Sequence, residues 1–269
     1  MDHLFALLAG VVQGLTEFLP VSSSGHLVIL HDVLGFDAFD NLLFDVVMHL
    51  ATLAVLLVVF RRELLRLLSG FWASLARPAW KDDFEQRLPW LIVAGSVPVA
   101  VAGYLFDDAI EGNLRTVPVV AGALVIGGLL FIVAERVSTQ KRGIAAATWK
   151  DALAVGLAQA VSLIPGVSRS GLTIVAGLGR GMKRDEAARF SFLLSIPAVF
   201  GAGLKKVLEV GDWSQADFVA LGLGFAAAFV SGFLAIRSLL RFLGRHPLHV
   251  FAWYRFLLAA AVIFWIALR

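Results

Sequence analysis

Three stretches of the chain run for 19 residues each without Asp, Glu, Lys or Arg: 88–106, 116–134 and 218–236. As helices rising about 1.5 Å per residue, each spans about 28 Å, which matches the hydrocarbon core of a bilayer. Apolar segments with few charges also fall at 41–60, 186–207 and 250–267. The pattern predicts six transmembrane helices. Two further apolar stretches, 3–35 and 150–180, are broken at their centres by proline, serine and glycine.

The placement of basic residues tells how these segments thread the bilayer. Of 23 Lys and Arg, 17 lie in the loops around 60–88, 134–151, 180–189 and 237–245. Only Arg115, Lys205, Lys206 and Arg269 fall in the opposite loop set, which also holds Asp107, Asp108, Glu111, Asp212 and Asp217. Basic loops stay inside the cell, so the first set is cytoplasmic. For that count to hold, 3–35 and 150–180 must each begin and end on one side. Each therefore reads as a re-entrant hairpin of two half-helices with an irregular tip at membrane depth. Both termini then lie outside.

A repeat links the two hairpins. Sliding the chain by 146 residues puts Gly10 on Gly156, Gln13 on Gln159, Ser22 on Ser168, Ser24 on Ser170, Gly25 on Gly171, Phe44 on Phe190 and Glu63 on Glu209. Each copy is a hairpin plus three spans, and three is odd, so the second copy must sit upside down relative to the first. The expected fold is an all-α polytopic membrane protein, a single integral membrane domain over 1–269. It is an inverted-topology repeat of six transmembrane helices plus two re-entrant helical hairpins, with copies at about 1–135 and 148–269.

Composition removes other classes. With 59% hydrophobic and 16% charged residues and a mean hydropathy of +0.84, the chain is not a soluble globular protein. The absence of cysteine excludes disulfides, thiolate metal sites and thiol nucleophiles. The pI near 9.5 is accounted for by the inner loops, so no nucleic-acid partner is expected. Met1, Asp2 and His3 lack the basic start of a signal peptide, and Gln13 and Glu17 interrupt its apolar stretch, so the N-terminus is expected to belong to the mature fold.

The tips carry the candidate chemistry. Gln13 and Glu17, four apart, share one face of the incoming half-helix. Pro20 stops that helix, and Ser22, Ser23, Ser24 and Gly25 open the outgoing one before His26. The second tip, Pro165 to Gly171 followed by Thr173, repeats the design through Ser168 and Ser170 and adds Arg169, a planar cation suited to phosphate oxygens. Helix N-termini with unpaired N–H groups bind anions, and ionisable groups at membrane depth point to function. Asp45 and His49 look to the same side of their span, in a structural or a supporting role. Arg255, near the start of the last span, is expected to snorkel to the interface.

The run Gln13-Gly-Leu-Thr-Glu-Phe-Leu-Pro-Val-Ser-Ser-Ser-Gly-His26 and the run Pro165-Gly-Val-Ser-Arg-Ser-Gly171 resemble the two signature motifs of the bacterial undecaprenyl-diphosphate phosphatase family, also called bacitracin-resistance proteins. Length, segment order and the Phe-Ala-x-Tyr-Arg stretch ending at Arg255 agree over essentially the whole chain. The resemblance implies an enzyme of the bacterial cytoplasmic membrane that converts the polyprenyl diphosphate carrier to its monophosphate. That recycles the carrier for peptidoglycan synthesis, confers bacitracin resistance, and uses a divalent cation, Mg2+ or Ca2+. Where family members begin the first motif with Glu or Gln, this chain has Gln13, so one ionised carboxylate is expected there.

The expected catalytic residues are Glu17, Ser23, His26 and Arg169. Ser23 is the expected nucleophile, activated by His26 or Glu17, with His26 as nucleophile or general base in the alternative scheme. Gln13, Ser22, Ser24, Gly25, Ser168, Ser170, Gly171 and Thr173 are expected to bind the substrate phosphates, and Glu17 with Gln13 to hold the metal. The charge count puts the site at the outer face of the membrane. A homodimer is left open. The competing class is a lipid-phosphate or anion transporter, since inverted repeats with broken helices are transporter architecture. A type-2 phosphatidic acid phosphatase fits poorly, because no His follows Arg169 at the required spacing, and a kinase fits poorly for want of a Gly-x-x-x-x-Gly-Lys-Ser/Thr loop.

Overall fold

The structure is a computed structural model that describes residues 3–30, 42–77, 79, 83–209 and 217–268. Within them the chain is helical, with one isolated bridge pairing Arg142 with Met182. Two elements are broken as the sequence predicts. Helices α1 (His3–Phe18) and α2 (Ser23–Val28) flank the first tip, and α7 (Trp149–Val161) and α8 (Arg169–Gly179) flank the second. The end of the first hairpin, 31–35, lies outside the described residues.

The spans are α3 (Leu42–Val59), α5 (Phe84–Ala109), α6 (Val117–Val137), α9 (Arg184–Glu209), α10 (Phe218–Leu243) and α11 (His249–Ala267). Five of them are each long and apolar enough to cross a membrane. The sixth, α3, qualifies together with α4 (Arg61–Ala76), from which it is bent by 77°. The chain is a multi-span membrane protein. Helix α4 corrects the reading of 60–88 as loop. Its exposed apolar residues Leu65, Leu68, Trp72 and Leu75 recur at helical spacing beside Arg61, Arg62 and Arg66, the pattern of a helix that lies at a membrane surface.

Packing between the copies is reciprocal: α1 lies against α10, and α7 lies against α5. Small residues make both contacts close. A Cβ at Gly10 would collide with the Gly224 backbone, one at Gly14 with Ala228 and Ser231, and one at Gly156 with the Gly95 backbone. Such stripes let helix backbones approach where lipid offers no hydrophobic driving force. Helices α6 and α11 pair with each other, and α6 touches both α2 and α8.

The second hairpin is tied down at its base. Asp151, fully buried, accepts hydrogen bonds from Arg142 (2.7 and 3.2 Å), from Arg180 Nε (2.7 Å), and from the backbone N–H and hydroxyl of Thr148 (2.8 and 2.7 Å). Thr148 caps α7 in the same arrangement. Burial opposes ionisation of Asp151, but these bonds outweigh it and hold the carboxyl well below the usual carboxylate range.

Candidate functional site

Both tips turn through the same unusual backbone. Ser22 has φ 75° and Ser168 φ 73°, in the left-handed region that serine seldom occupies. Each serine accepts a hydrogen bond at Oγ from the backbone N–H three residues on, Gly25 at 3.1 Å and Gly171 at 3.2 Å, and so caps α2 and α8. The residue after each cap, Ser23 or Arg169, therefore stands at the mouth of a helix N-terminus.

These two residues meet on one carboxylate. Arg169 Nη2 donates to Glu17 Oε1 at 2.5 Å, and Ser23 Oγ donates to Glu17 Oε2 at 2.8 Å. Gln13 Nε2 donates to the same Oε2 at 3.3 Å. Longer bonds of 3.4 Å join the tips, from Gly166 N–H to Ser24 Oγ and from Ser170 Oγ to the Leu19 carbonyl. Glu17 and Gln13 are buried, and the Arg169 side chain is largely so.

A cavity of about 730 Å³ opens over this cluster. Gln13, Glu17, Ser23 and Ser24 line it from the first hairpin, and Gln159, Ser168 and Arg169 from the second. Asp45 and His49 line it from α3, with His49 Nδ1 donating to the Asp45 carbonyl at 2.8 Å. Four buried polar atoms here lack a hydrogen-bond partner among the described residues: Gln13 Oε1, Arg169 Nη1, and both amide atoms of Gln159. Buried polar groups are almost always satisfied, so orphans gathered around one cavity mark where a polar ligand belongs. Gln159 is a site candidate that the sequence reading left out. Its signal was the repeat register, which places it on Gln13.

Other expected site residues lie beside the cavity rather than in its lining. His26 is not among the cavity-lining residues: Nδ1 donates to the Ser22 carbonyl at 2.7 Å, which leaves Nε2 to accept from the Tyr254 hydroxyl at 2.7 Å. Ser22, Gly25, Ser170, Gly171 and Thr173 also lie outside the lining. Gly25 and Gly171 supply the capped N–H groups, and Gly171 packs on Phe131. The Thr173 hydroxyl bonds the Arg169 carbonyl at 2.6 Å and Ser191 at 2.5 Å.

Arg255 corrects the snorkelling reading. It is fully buried, and its guanidinium donates to the carbonyls of Ala123 (2.9 Å) and Leu124 (3.1 Å) on α6 and of Gly166 (2.9 Å) and Val167 (3.1 Å) in the second tip. A longer bond of 3.5 Å reaches Pro20 in the first tip. Breaking a helix inside the membrane frees carbonyl oxygens that water cannot satisfy, and a five-donor guanidinium answers several at once. The side chain rests over the Phe131 ring and against Gly127, where a Cβ would collide with it.

Among the described residues no group of three or more His, Asp or Glu forms a metal cage. The donor set does suit a hard cation held in part by substrate: one carboxylate, Glu17, beside the unpartnered Gln13 Oε1. Mg2+ is commonly bound through one or two carboxylates together with phosphate oxygens.

Residues 6–261 match the model of a protein family described as bacitracin resistance protein BacA. An undecaprenyl-diphosphatase of Rubrobacter xylanophilus is 47% identical over 97% of this chain and 97% of its own length. An undecaprenyl-diphosphatase 3 of Frankia casuarinae is 40% identical over 99% and 98%. An undecaprenyl-diphosphatase of Syntrophobacter fumaroxidans is 41% identical over 100% and 99%.

Proposed function

The chain belongs to the bacitracin resistance protein BacA family, and from that premise we propose how its site performs the reaction for which its relatives are named. It is a membrane phosphatase that hydrolyses undecaprenyl diphosphate to undecaprenyl phosphate and inorganic phosphate. The observation that carries this reading is the Glu17 carboxylate, which holds a hydroxyl from its own tip and a guanidinium from the other at the edge of one cavity.

Ser23 is the nucleophile. Its Oγ attacks the terminal phosphorus, Glu17 takes its proton, and the bond to the bridging oxygen breaks, so that undecaprenyl phosphate leaves. Glu17 passes that proton to the departing undecaprenyl phosphate, then takes one from the water that attacks the phosphoserine and returns it to Oγ as the bond from phosphorus to Oγ breaks and inorganic phosphate departs. Arg169 stabilises charge on the phosphoryl oxygens through the N–H groups that Glu17 does not occupy, with Gln13 and Gln159 supplying neutral polar groups. A bound Mg2+ or Ca2+ at Glu17 and Gln13 would neutralise charge on the diphosphate. His26 holds the first tip through the Ser22 carbonyl.

The protein sits in the bacterial cytoplasmic membrane as one domain, its second repeat inverted on the first, a reading supported by the reciprocal packing of α1 on α10 and α7 on α5. The site faces outward. Arg115, Lys205 and Lys206, all from the sparse outer loop set, line the same cavity as Glu17. A tag on the N-terminus is therefore expected to be reachable from outside the cell, and a cytoplasmic tag overturns this orientation. Purified protein in detergent should release phosphate from undecaprenyl diphosphate and form a phosphoenzyme that maps to Ser23. Release of none favours the transporter reading.

A further inference from the structure

The diphosphate of a polyprenyl lipid must reach Glu17 and Arg169 while its tail stays in hydrocarbon, so the cavity needs an aperture toward the bilayer. We propose that this aperture lies between the outer halves of α5 and α9, and that the first isoprene units of the tail occupy it. The proposal rests on the polyprenyl diphosphate reading given above.

Among the described residues the two helices are joined below this level and uncovered above it. Gly95 packs so closely that a Cβ would strike the Leu194 side chain and approach the Ala152 carbonyl, and Ser96 Oγ reaches the Leu194 carbonyl at 3.4 Å. Leu91, Leu194 and Ser195 are fully buried. Just beyond these contacts each helix carries an internal proline, Pro98 in α5 and Pro197 in α9. From there the cavity runs out along both helices, lined at helical spacing by Val97, Ala100 and Tyr104 on one side and by Pro197, Gly201 and Lys205 on the other. Val97 is 53% and Tyr104 85% exposed.

Small residues keep the gap open. Among the described residues a Cβ at Gly103 would meet only Leu163 at 3.9 Å, and one at Gly201 would meet nothing within 4 Å. Glycine in a helix interior costs about 1 kcal/mol relative to alanine, and at these two positions, which line the cavity or its rim, the missing side chain leaves clearance on each wall. The walls are apolar and continuous with the orphaned polar atoms at the tips. That sequence, polar at the tips and apolar toward the lipid, matches a headgroup followed by a hydrocarbon tail. Lys205, at the outer end of the gap, stands where an anionic headgroup would first arrive from the outer leaflet.

The test fills the gap in the full-length protein. Gly103→Phe with Gly201→Phe narrows both walls at positions with room for the ring, and Gly122→Phe on α6, also open and outside the cavity lining, is the control. Hydrolysis of undecaprenyl diphosphate is compared with that of dimethylallyl diphosphate, whose short chain lies wholly beside the tips. The double variant should raise KM for the long substrate about tenfold or more, the loss expected when two or more methylene groups lose their seat. The short substrate and the control should stay at wild-type values. Equal losses on both substrates, or none on either, overturn the aperture. A polyprenyl diphosphate with a photoreactive diazirine in its first isoprene units gives a readout independent of catalysis. Labelling of α5 and α9 peptides supports the aperture even in a protein that releases no phosphate, which would itself sink only the phosphatase reading. Labelling confined to other helices overturns the aperture.

Discussion

The two hairpin tips share a backbone and differ in chemistry. Ser22 and Ser168 take nearly the same left-handed conformation and cap their helices on equivalent glycines. In the 146-residue register the next position is Ser23 in one copy and Arg169 in the other, and Glu17 falls on Leu163. On the proposed mechanism a duplicated turn is split into a half that holds the hydroxyl and its carboxylate partner and a half that supplies the cation. The hairpins also differ at their base, where buried Asp151 stands at the register position of Phe5. The second copy thus carries an anchored hairpin base as well as the arginine of the site.

The division of labour at the tips makes the largest prediction. Ser23→Ala and Arg169→Ala should each lower phosphate release about 10³-fold, the scale of losing a nucleophile or a key electrostatic contact. Ser23→Ala should also abolish the trapped phosphoenzyme, while Arg169→Ala should leave its site of attachment at Ser23. A phosphoenzyme that survives Ser23→Ala breaks the assignment.

The base of the second hairpin comes next. Asp151→Asn should cost about 3 kcal/mol in unfolding, because it strands two arginines that share one buried partner. The folded carboxyl ionises at a lower pH than the value of about 3.9 for an unfolded Asp. Its stabilisation is therefore complete above about pH 5 and fades as pH falls toward the folded value. Thermal unfolding in detergent between neutral and acid pH should show a loss in wild type that the variant already carries at neutrality. A variant with an unchanged acid profile removes Asp151 from the account.

Two smaller contrasts refine the first tip. If His26 acts through the Ser22 carbonyl, His26→Asn, which keeps a donor near Nδ1, should retain clearly more activity than His26→Ala. Equal losses would restore His26 as nucleophile or base. Gln13→Ala and Gln159→Ala should each cost about tenfold in kcat/KM, the worth of one neutral hydrogen bond to the substrate. An effect at Gln13 alone would mean that the second copy gives only its arginine.

Much of this was legible in the chain. Charge-free stretches gave the spans because a bilayer imposes a length, and the structure returns α6 as Val117–Val137 where 116–134 is read. That Glu17 and Arg169, 152 residues apart, belong to one site followed from the repeat and from the cost of lone charges in lipid, and the structure joins them in an ion pair. Helix α4 was hidden by its own arginines, which mark a loop in a charge count although the leucines between them keep helical spacing. Arg255 was misplaced because its partners are carbonyl oxygens, which no side-chain pattern records. Gln159 stood in the register in plain view, but an unpartnered amide becomes evident only once neighbours are known to be missing.

Arg255 has a consequence beyond holding the tips. Its partners are dipoles and a ring face rather than a carboxylate, whereas Arg169 is matched by Glu17. Among the described residues no carboxylate pairs with the positive charge of Arg255 behind the pocket, in surroundings where the electric field is weakly shielded. A multiply anionic headgroup would enter a chamber already held at positive potential, and a departing phosphate would have to climb out of the same well.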